Sequence, residues 1–192
     1  LYPRKERVAG PVVLELDGFA GARKPESASL ALRRGEVVGI AGLVGSGRTE
    51  LLRAIFGLDP VRRGRIEVGA YLGPASPLRR LAQGVGMLSE DRKGEGLAAA
   101  MSVADNLAFP LRNRKMPEDQ VRKRVGEIAE MLELSGQLDQ RAADLAADAK
   151  QKISLGRGLV RPDVSAVLFD EPLTVIDPHL KWQLRRKLKQ IH

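Results

Sequence analysis

The chain has no cysteine in its 192 residues. That excludes a disulfide framework and any thiolate metal site, and it fits a reducing compartment. Aromatic residues make up only 4% of the chain, so the core must rest on Leu, Val, Ile and Ala. Long apolar runs are missing as well. Uncharged stretches such as Val37–Gly47 fall far below the ~18 residues needed to span a bilayer. The N-terminus, Leu1-Tyr2-Pro3-Arg4-Lys5-Glu6-Arg7, lacks the apolar centre of a signal peptide. These absences lead to the expectation of a soluble, cytoplasmic protein.

What is present is a globular composition, 43% apolar and 29% charged. The length suits one domain with a sizeable core. The net charge of +8 favours anionic partners: nucleotides, nucleic acid or anionic lipid surfaces. A solvated, Arg-rich surface accounts for it equally well, because Asp and Glu are interspersed almost everywhere. No basic stretch is interleaved with aromatics in the way that grips single strands, so no nucleic-acid partner is expected.

Residues 1–11, with Pro3 and Pro11, read as a linker or extended entry segment. Val12–Leu16 reads as a strand. Arg33-Arg34-Gly35-Glu36 is a charged turn, and Val37–Ala41 is an apolar run short enough for a buried strand. A helix is expected from Thr49, with Leu51, Leu52 and Ile55 on one face and Gly57 as its stop. Ser102 and Asp105 resemble a capping box opening another helix. Over 118–134, Val121, Val125, Ile128 and Leu132 keep a helical period, with Gly136 ending the run. Val164–Phe169 is a second candidate for a buried strand. Asp177-Pro178 reads as an N-cap with Pro at the first helical position, opening a helix with Leu180, Leu184, Leu188 and Ile191 on one face. Strand, glycine loop, helix and a later buried strand predict an α/β domain with a largely parallel sheet. The helical insert between them is expected to form a separate lobe.

Gly42-Leu43-Val44-Gly45-Ser46-Gly47-Arg48-Thr49 fits the pattern G-x-x-x-x-G-[K/R]-[S/T]. Glycines let the backbone turn tightly, so that successive N–H groups point at phosphate oxygens. The helix that follows adds its positive N-terminal end, and Thr49 offers a hydroxyl to Mg²⁺. A glycine-rich strand–helix turn without a ligand is the alternative. Arg48 stands where such loops usually carry lysine. Arginine is a planar fork, whereas lysine is a compact charge, so phosphate binding is better supported than fast hydrolysis.

Phe169-Asp170-Glu171-Pro172 directly follows the second apolar run. Strand C-termini line the ligand crevice of a parallel sheet. Asp170 is expected to hold Mg²⁺, directly or through water, and Glu171 to polarise the attacking water. Alone, two adjacent acids beside a strand are commonplace. Joined to the phosphate loop, they supply the positioning and charge neutralisation that phosphoryl transfer needs.

These residues resemble the ATP-binding cassette (ABC) transporter family over nearly the whole chain. Residues 1–110 are similar to the second cassette of double-cassette monosaccharide importers, through the run Gly39–Leu51 and the run Glu90–Leu97. An arginine in the phosphate loop is typical of that branch. From about residue 145 onward the chain looks like the cassette of glycerol-3-phosphate-type importers, through Ala147–Gly158 and Asp170–His179. A mosaic gene, an assembled chain and an intermediate subfamily all account for the combination.

The resemblance implies a P-loop NTPase fold with a mainly parallel core sheet, an antiparallel β subdomain and a helical subdomain at about 100–150. It implies a single nucleotide-binding domain over 12–192, incomplete at its C-terminal end. The expected activity is ATP hydrolysis with Mg²⁺, driving import of a sugar or a polyol or glycerol phosphate. The expected partners are a second cassette and transmembrane permease subunits at the inner face of the membrane. Gly42, Gly45, Ser46, Gly47, Arg48, Thr49 and Glu50 take the phosphate-loop positions. Asp170 and Thr49 take the metal positions, Glu171 the water-polarising one, and Arg48 a catalytic one. Glu90 falls where the family usually has a metal-reaching glutamine. Asp177 falls in the loop that contacts the partner cassette.

Other positions depart from the family pattern. Leu145-Ala146-Ala147-Asp148 replaces the usual Ser-Gly-Gly at a helix start. Asp148 either faces the nucleotide, at a like-charge cost of ~1 kcal/mol in water to ~4 kcal/mol at intermediate dielectric, or only caps the helix. No adenine-stacking aromatic is evident, since Phe19 reads as strand core. The switch histidine is expected beyond His192, and His179 and His192 read as surface residues. A degenerate cassette, which binds nucleotide and supports a competent partner without hydrolysis, is the alternative. A nucleic-acid-associated cassette ATPase, suggested only by the basic charge, is a third.

Overall fold

A computed structural model of the chain describes residues 9–89 and 96–170. It separates into two compact units, one of residues 9–86 with 164–168, the other of 87–163 with 169–170.

The first unit is built on an antiparallel sheet of order β2-β1-β3-β4. β1 (Val12–Gly21) lies between β2 (Ala28–Arg33) and β3 (Val61–Val68), and β4 (Tyr71–Leu72) closes the edge. Leu16 sits opposite Leu30 on one side and Ile66 on the other. Leu14, Leu16, Phe19, Ala20, Ile66 and Val68 are all buried, so Phe19 is strand core as expected. The turn after β2 is closed by Glu36, whose carboxylate accepts from the Arg33 N–H at 2.9 Å. β3 escapes the periodicity argument because Arg62, Arg63 and Arg65 dominate its exposed half; only Ile66 and Val68 carry the buried alternation.

α1 (Arg48–Phe56) follows the glycine loop and buries Leu51, Leu52, Ala54, Ile55 and Phe56. Gly57 ends it in the left-handed conformation, at φ 89°, donating to the carbonyls of Ala54 and Arg53. α2 (Pro77–Ala82) carries Arg80, which is fully buried. Arg80 Nε donates to the Ile55 carbonyl at 3.0 Å and Nη2 to that of Gly73 at 2.8 Å. It thus satisfies a carbonyl left over at the end of α1. Burial lowers its guanidinium from the ordinary value, which still leaves a cation.

β5 (Val85–Leu88) pairs with β6 (Ala166–Phe169) in a two-stranded sheet. The Ser165 N–H donates to Gly84 at one end and the Asp170 N–H to Leu88 at the other, so the two strands run in parallel.

The second unit packs three helices: α3 (Val103–Arg112), α4 (Glu118–Met131) and α5 (Ala147–Leu159). Val103, Leu107, Leu111, Val121, Ile128 and Ile153 form its buried apolar interior. Gly156 lets α5 approach the other two, for a Cβ there would lie 2.5 Å from Leu107 Cδ2 and 3.0 Å from Leu132 Cδ1. Ser102 caps α3 as expected, accepting from the Asp105 N–H at 3.0 Å. Buried Asn106 accepts from the Ala98 N–H and donates to the Ala98 and Ser102 carbonyls, each at 2.9 Å, which fixes the segment entering the helix.

Two expectations fail. Val37–Ala41 forms no strand, and Val37, Val38 and Ile40 are exposed at 72%, 41% and 39%. Apolarity gives a segment the capacity to be buried, but a strand exists only with a ladder partner, and among the described residues none pairs with it. Gly136 does not end α4. Glu133 takes the left-handed position at φ 58°, and the Leu134 N–H reaches back to Ala129 at 2.8 Å, so the helix stops one turn earlier than the pattern predicts.

Candidate functional site

The loop Gly42–Thr49 closes on itself. The Ser46 N–H donates to the Leu43 carbonyl at 3.0 Å. A Cβ at Gly42 would lie 2.5 Å from Ser46 Oγ and 3.7 Å from Arg48 Cδ. Gly45 and Gly47 are left-handed, at φ 76° and 96°, a region in which a side chain costs about 1–2 kcal/mol. Gly47 is the N-cap of α1 and provides no side-chain acceptor to its first turn. The helix therefore opens directly behind a tight glycine turn, in which a Cβ at Gly42 would meet Ser46 and one at Gly47 would meet Lys24. Those features suit a phosphate chain, which takes N–H donors and the positive helix end. Arg48, Thr49 and Glu50 form the first helical turn and are half-buried, while 42–46 are exposed.

A residue that sequence reasoning missed lies against this loop. Lys24, in the turn between β1 and β2, donates from Nζ to the Gly45 carbonyl. A Cβ at Gly47 would lie 2.7 Å from Lys24 Cβ. No motif marks Lys24, because it belongs to another segment and meets the loop only through the fold. A concavity of about 530 Å³ lies at the other end of α1 among Gly57, Leu58, Pro60, Ala75 and Ser76. Arg79 is its one cation, and it contains none of the predicted site residues.

In the second unit, Asp170 follows β6 and is 4% exposed. Its backbone N–H donates to the Leu88 carbonyl at 2.9 Å. Asp148 is exposed in the first turn of α5. The N-cap is Ala146, so Asp148 is not the capping residue; a carboxylate there complements the helix dipole instead. Glu90, Glu171 and the Asp177 segment lie outside the described residues. Among the described residues no group of three or more acids or histidines is placed to hold a metal. Nor is any described helix long and apolar enough to cross a membrane.

The chain shares 35% identity over 99% of its length with Ribose import ATP-binding protein RbsA 1 of Rubrobacter xylanophilus, covering 40% of that protein. It shares 37% identity over 94% of its length with a Putative ribose/galactose/methyl galactoside import ATP-binding protein 3 of Burkholderia ambifaria, covering 36%. The chain thus spans about two fifths of the length of these relatives. Its fold matches a crystal structure of a nucleotide-free ATP-binding cassette from an ABC transporter, with a TM-score of 0.77 at 20% identity, over 94% of this chain and 77% of that one. That likeness shows the P-loop cassette fold, with its antiparallel and helical parts. The family described as ABC transporter matches residues 26–174; the chain belongs to the ABC transporter family.

Proposed function

We propose that this chain binds and hydrolyses ATP as a cassette of an importer for a sugar or a polyol or glycerol phosphate. The observation that carries the reading is the glycine loop with α1 opening behind it, Gly47 at the junction. The names of the relatives, import ATP-binding proteins for ribose and galactose, support the sugar class. On this reading residues 12–192 are one nucleotide-binding domain behind a short linker, with a helical lobe near 100–150.

Each residue then has a role. The N–H groups of 45–49 hold the phosphates, and Arg48 offsets their charge. Thr49, Asp170 and Glu90 are the residues that would hold Mg²⁺, which would neutralise phosphate charge. Glu171 polarises the attacking water. Asp148, at the start of α5, faces the nucleotide of a second cassette. Permease subunits at the inner face of the membrane receive the closing motion. A lone cassette has half of such a site, so turnover by this chain alone is weak.

The test is single-turnover hydrolysis of MgATP by the chain paired with its natural partner. Turnover that falls by about 10²–10⁴-fold in Glu171→Gln supports the reading. Normal MgATP binding with no wild-type turnover overturns hydrolysis. It favours instead a binding-only cassette, for which the exposed carboxylate of Asp148 on the first turn of α5 is the motivating observation.

A further inference from the structure

The phosphate loop carries arginine where a compact cation serves best. Arginine is a wide planar fork, while the lysine ammonium is a point charge with three donors. The fold brings such a lysine to the loop from another segment. The turn from β1 to β2 is tight. The Gly21 N–H donates to the Pro25 carbonyl at 3.1 Å, and a Cβ at Gly21 would lie 2.1 Å from the Lys24 carbonyl oxygen. That turn fixes the Lys24 backbone. The side chain then runs along the loop. Its Cβ and Cδ lie 2.7 and 3.6 Å from where a Cβ of Gly47 would be, and its Nζ is 4.0 Å from the corresponding point at Gly45. The ammonium donates to the Gly45 carbonyl, at an exposed point of the glycine loop. One donor spent on that carbonyl leaves two for a further acceptor.

We infer that Lys24 is a phosphate-binding residue of this site. Its ammonium remains on Gly45 and donates at the same time to a terminal phosphate oxygen of a nucleoside polyphosphate. The inference rests on the nucleotide-binding reading above. It adds that the compact cation of the site comes from the β1–β2 turn, with Arg48 as the second positive group. Lys24 is exposed on its open side, so ligand can reach it and removing its charge leaves the core untouched.

The test is calorimetric titration of the full chain with MgATP, MgADP and AMP, for wild type, Lys24→Met, Lys24→Arg and Gly47→Val. Lys24→Met is expected to bind MgATP about 10-fold more weakly, the loss of one charge-assisted contact. It should bind AMP within 2-fold of wild type and show a shallower dependence of MgATP affinity on salt. Lys24→Arg is expected to recover part of the loss. Wild-type affinity for MgATP in Lys24→Met, with binding abolished in Gly47→Val, overturns the role of Lys24 while leaving the nucleotide site intact. Equal weakening towards AMP and MgATP overturns it too, since that pattern marks a residue that only shapes the loop. Absence of MgATP binding by wild type itself removes the nucleotide reading and this inference together. Melting of the unliganded variants checks the fold, and a fall in Tm for Lys24→Met beyond a few degrees assigns the lysine a structural role and overturns the inference.

Discussion

The glycine loop and the three-helix unit solve opposite problems with the same residue types. In the loop, Leu43 and Val44 are 86% and 99% exposed, and backbone shape is what matters. In the helical unit, Leu107, Ile128 and Ile153 are buried, and side-chain volume is what matters. Glycine shows the contrast most clearly. Gly47 serves by adopting φ 96°, whereas Gly156 serves by being small between Leu107 and Leu132. A leucine or a glycine therefore has no fixed meaning until its surroundings are known.

Truncation should separate the two regions first. Leu107→Ala is expected to destabilise the protein by about 2–5 kcal/mol, and Val44→Ala by less than about 0.5 kcal/mol, both read by urea unfolding. Similar losses at the two sites would break the contrast. Next in size is Gly57→Ala. Its φ is 89°, and the new Cβ would lie 1.9 Å from the Ala75 carbonyl oxygen, so a loss of about 1–3 kcal/mol is expected. The same variant should weaken nucleotide binding less than Gly47→Val does, because it disturbs the far end of α1. Smaller again is Ser102→Ala, which removes the α3 cap at a cost of about 1 kcal/mol and should leave nucleotide affinity unchanged.

The smallest effect concerns pH. The hydrogen bond from Arg112, 2.8 Å away, and that from Ser102 hold the Asp105 carboxyl below its ordinary value. A carboxyl with a lowered folded-state pKa stabilises the fold above its unfolded value. That contribution disappears as pH falls through the folded value, from about pH 4 downward. Asp105→Asn should flatten the acid limb of stability there and lower stability by a small constant amount at pH 7 to 8, where the contribution of the wild-type carboxylate is fully present. An unchanged acid limb would show that the Arg112 pair contributes nothing to the unit.

Local signals were the legible part of the sequence. The helical period of Val121, Val125 and Ile128, the Ser102 cap and the Gly57 stop were all readable, because each depends on residues within a turn or two. The glycine loop was legible for the same reason. What escaped depends on partners distant in sequence. Val37–Ala41 has the composition of a buried strand, yet composition cannot supply a ladder. β3 hid behind three arginines. The buried ion-like role of Arg80 and the approach of Lys24 to Gly45 arise only when separate segments meet. Glu133 replaced Gly136 as the end of α4 because a non-glycine residue took the left-handed position, an exception that residue type does not announce.

The account turns on whether the backbone of 42–49 receives a polyphosphate. Backbone amide shifts of the ¹⁵N-labelled chain during MgATP titration address this directly. The largest changes are expected at Gly45, Ser46, Gly47, Arg48 and Thr49, saturating at sub-millimolar ligand and much reduced with AMP. Shifts concentrated instead around Gly57–Val61 and Ala75–Arg79, or no shifts in the loop at millimolar MgATP, would contradict it.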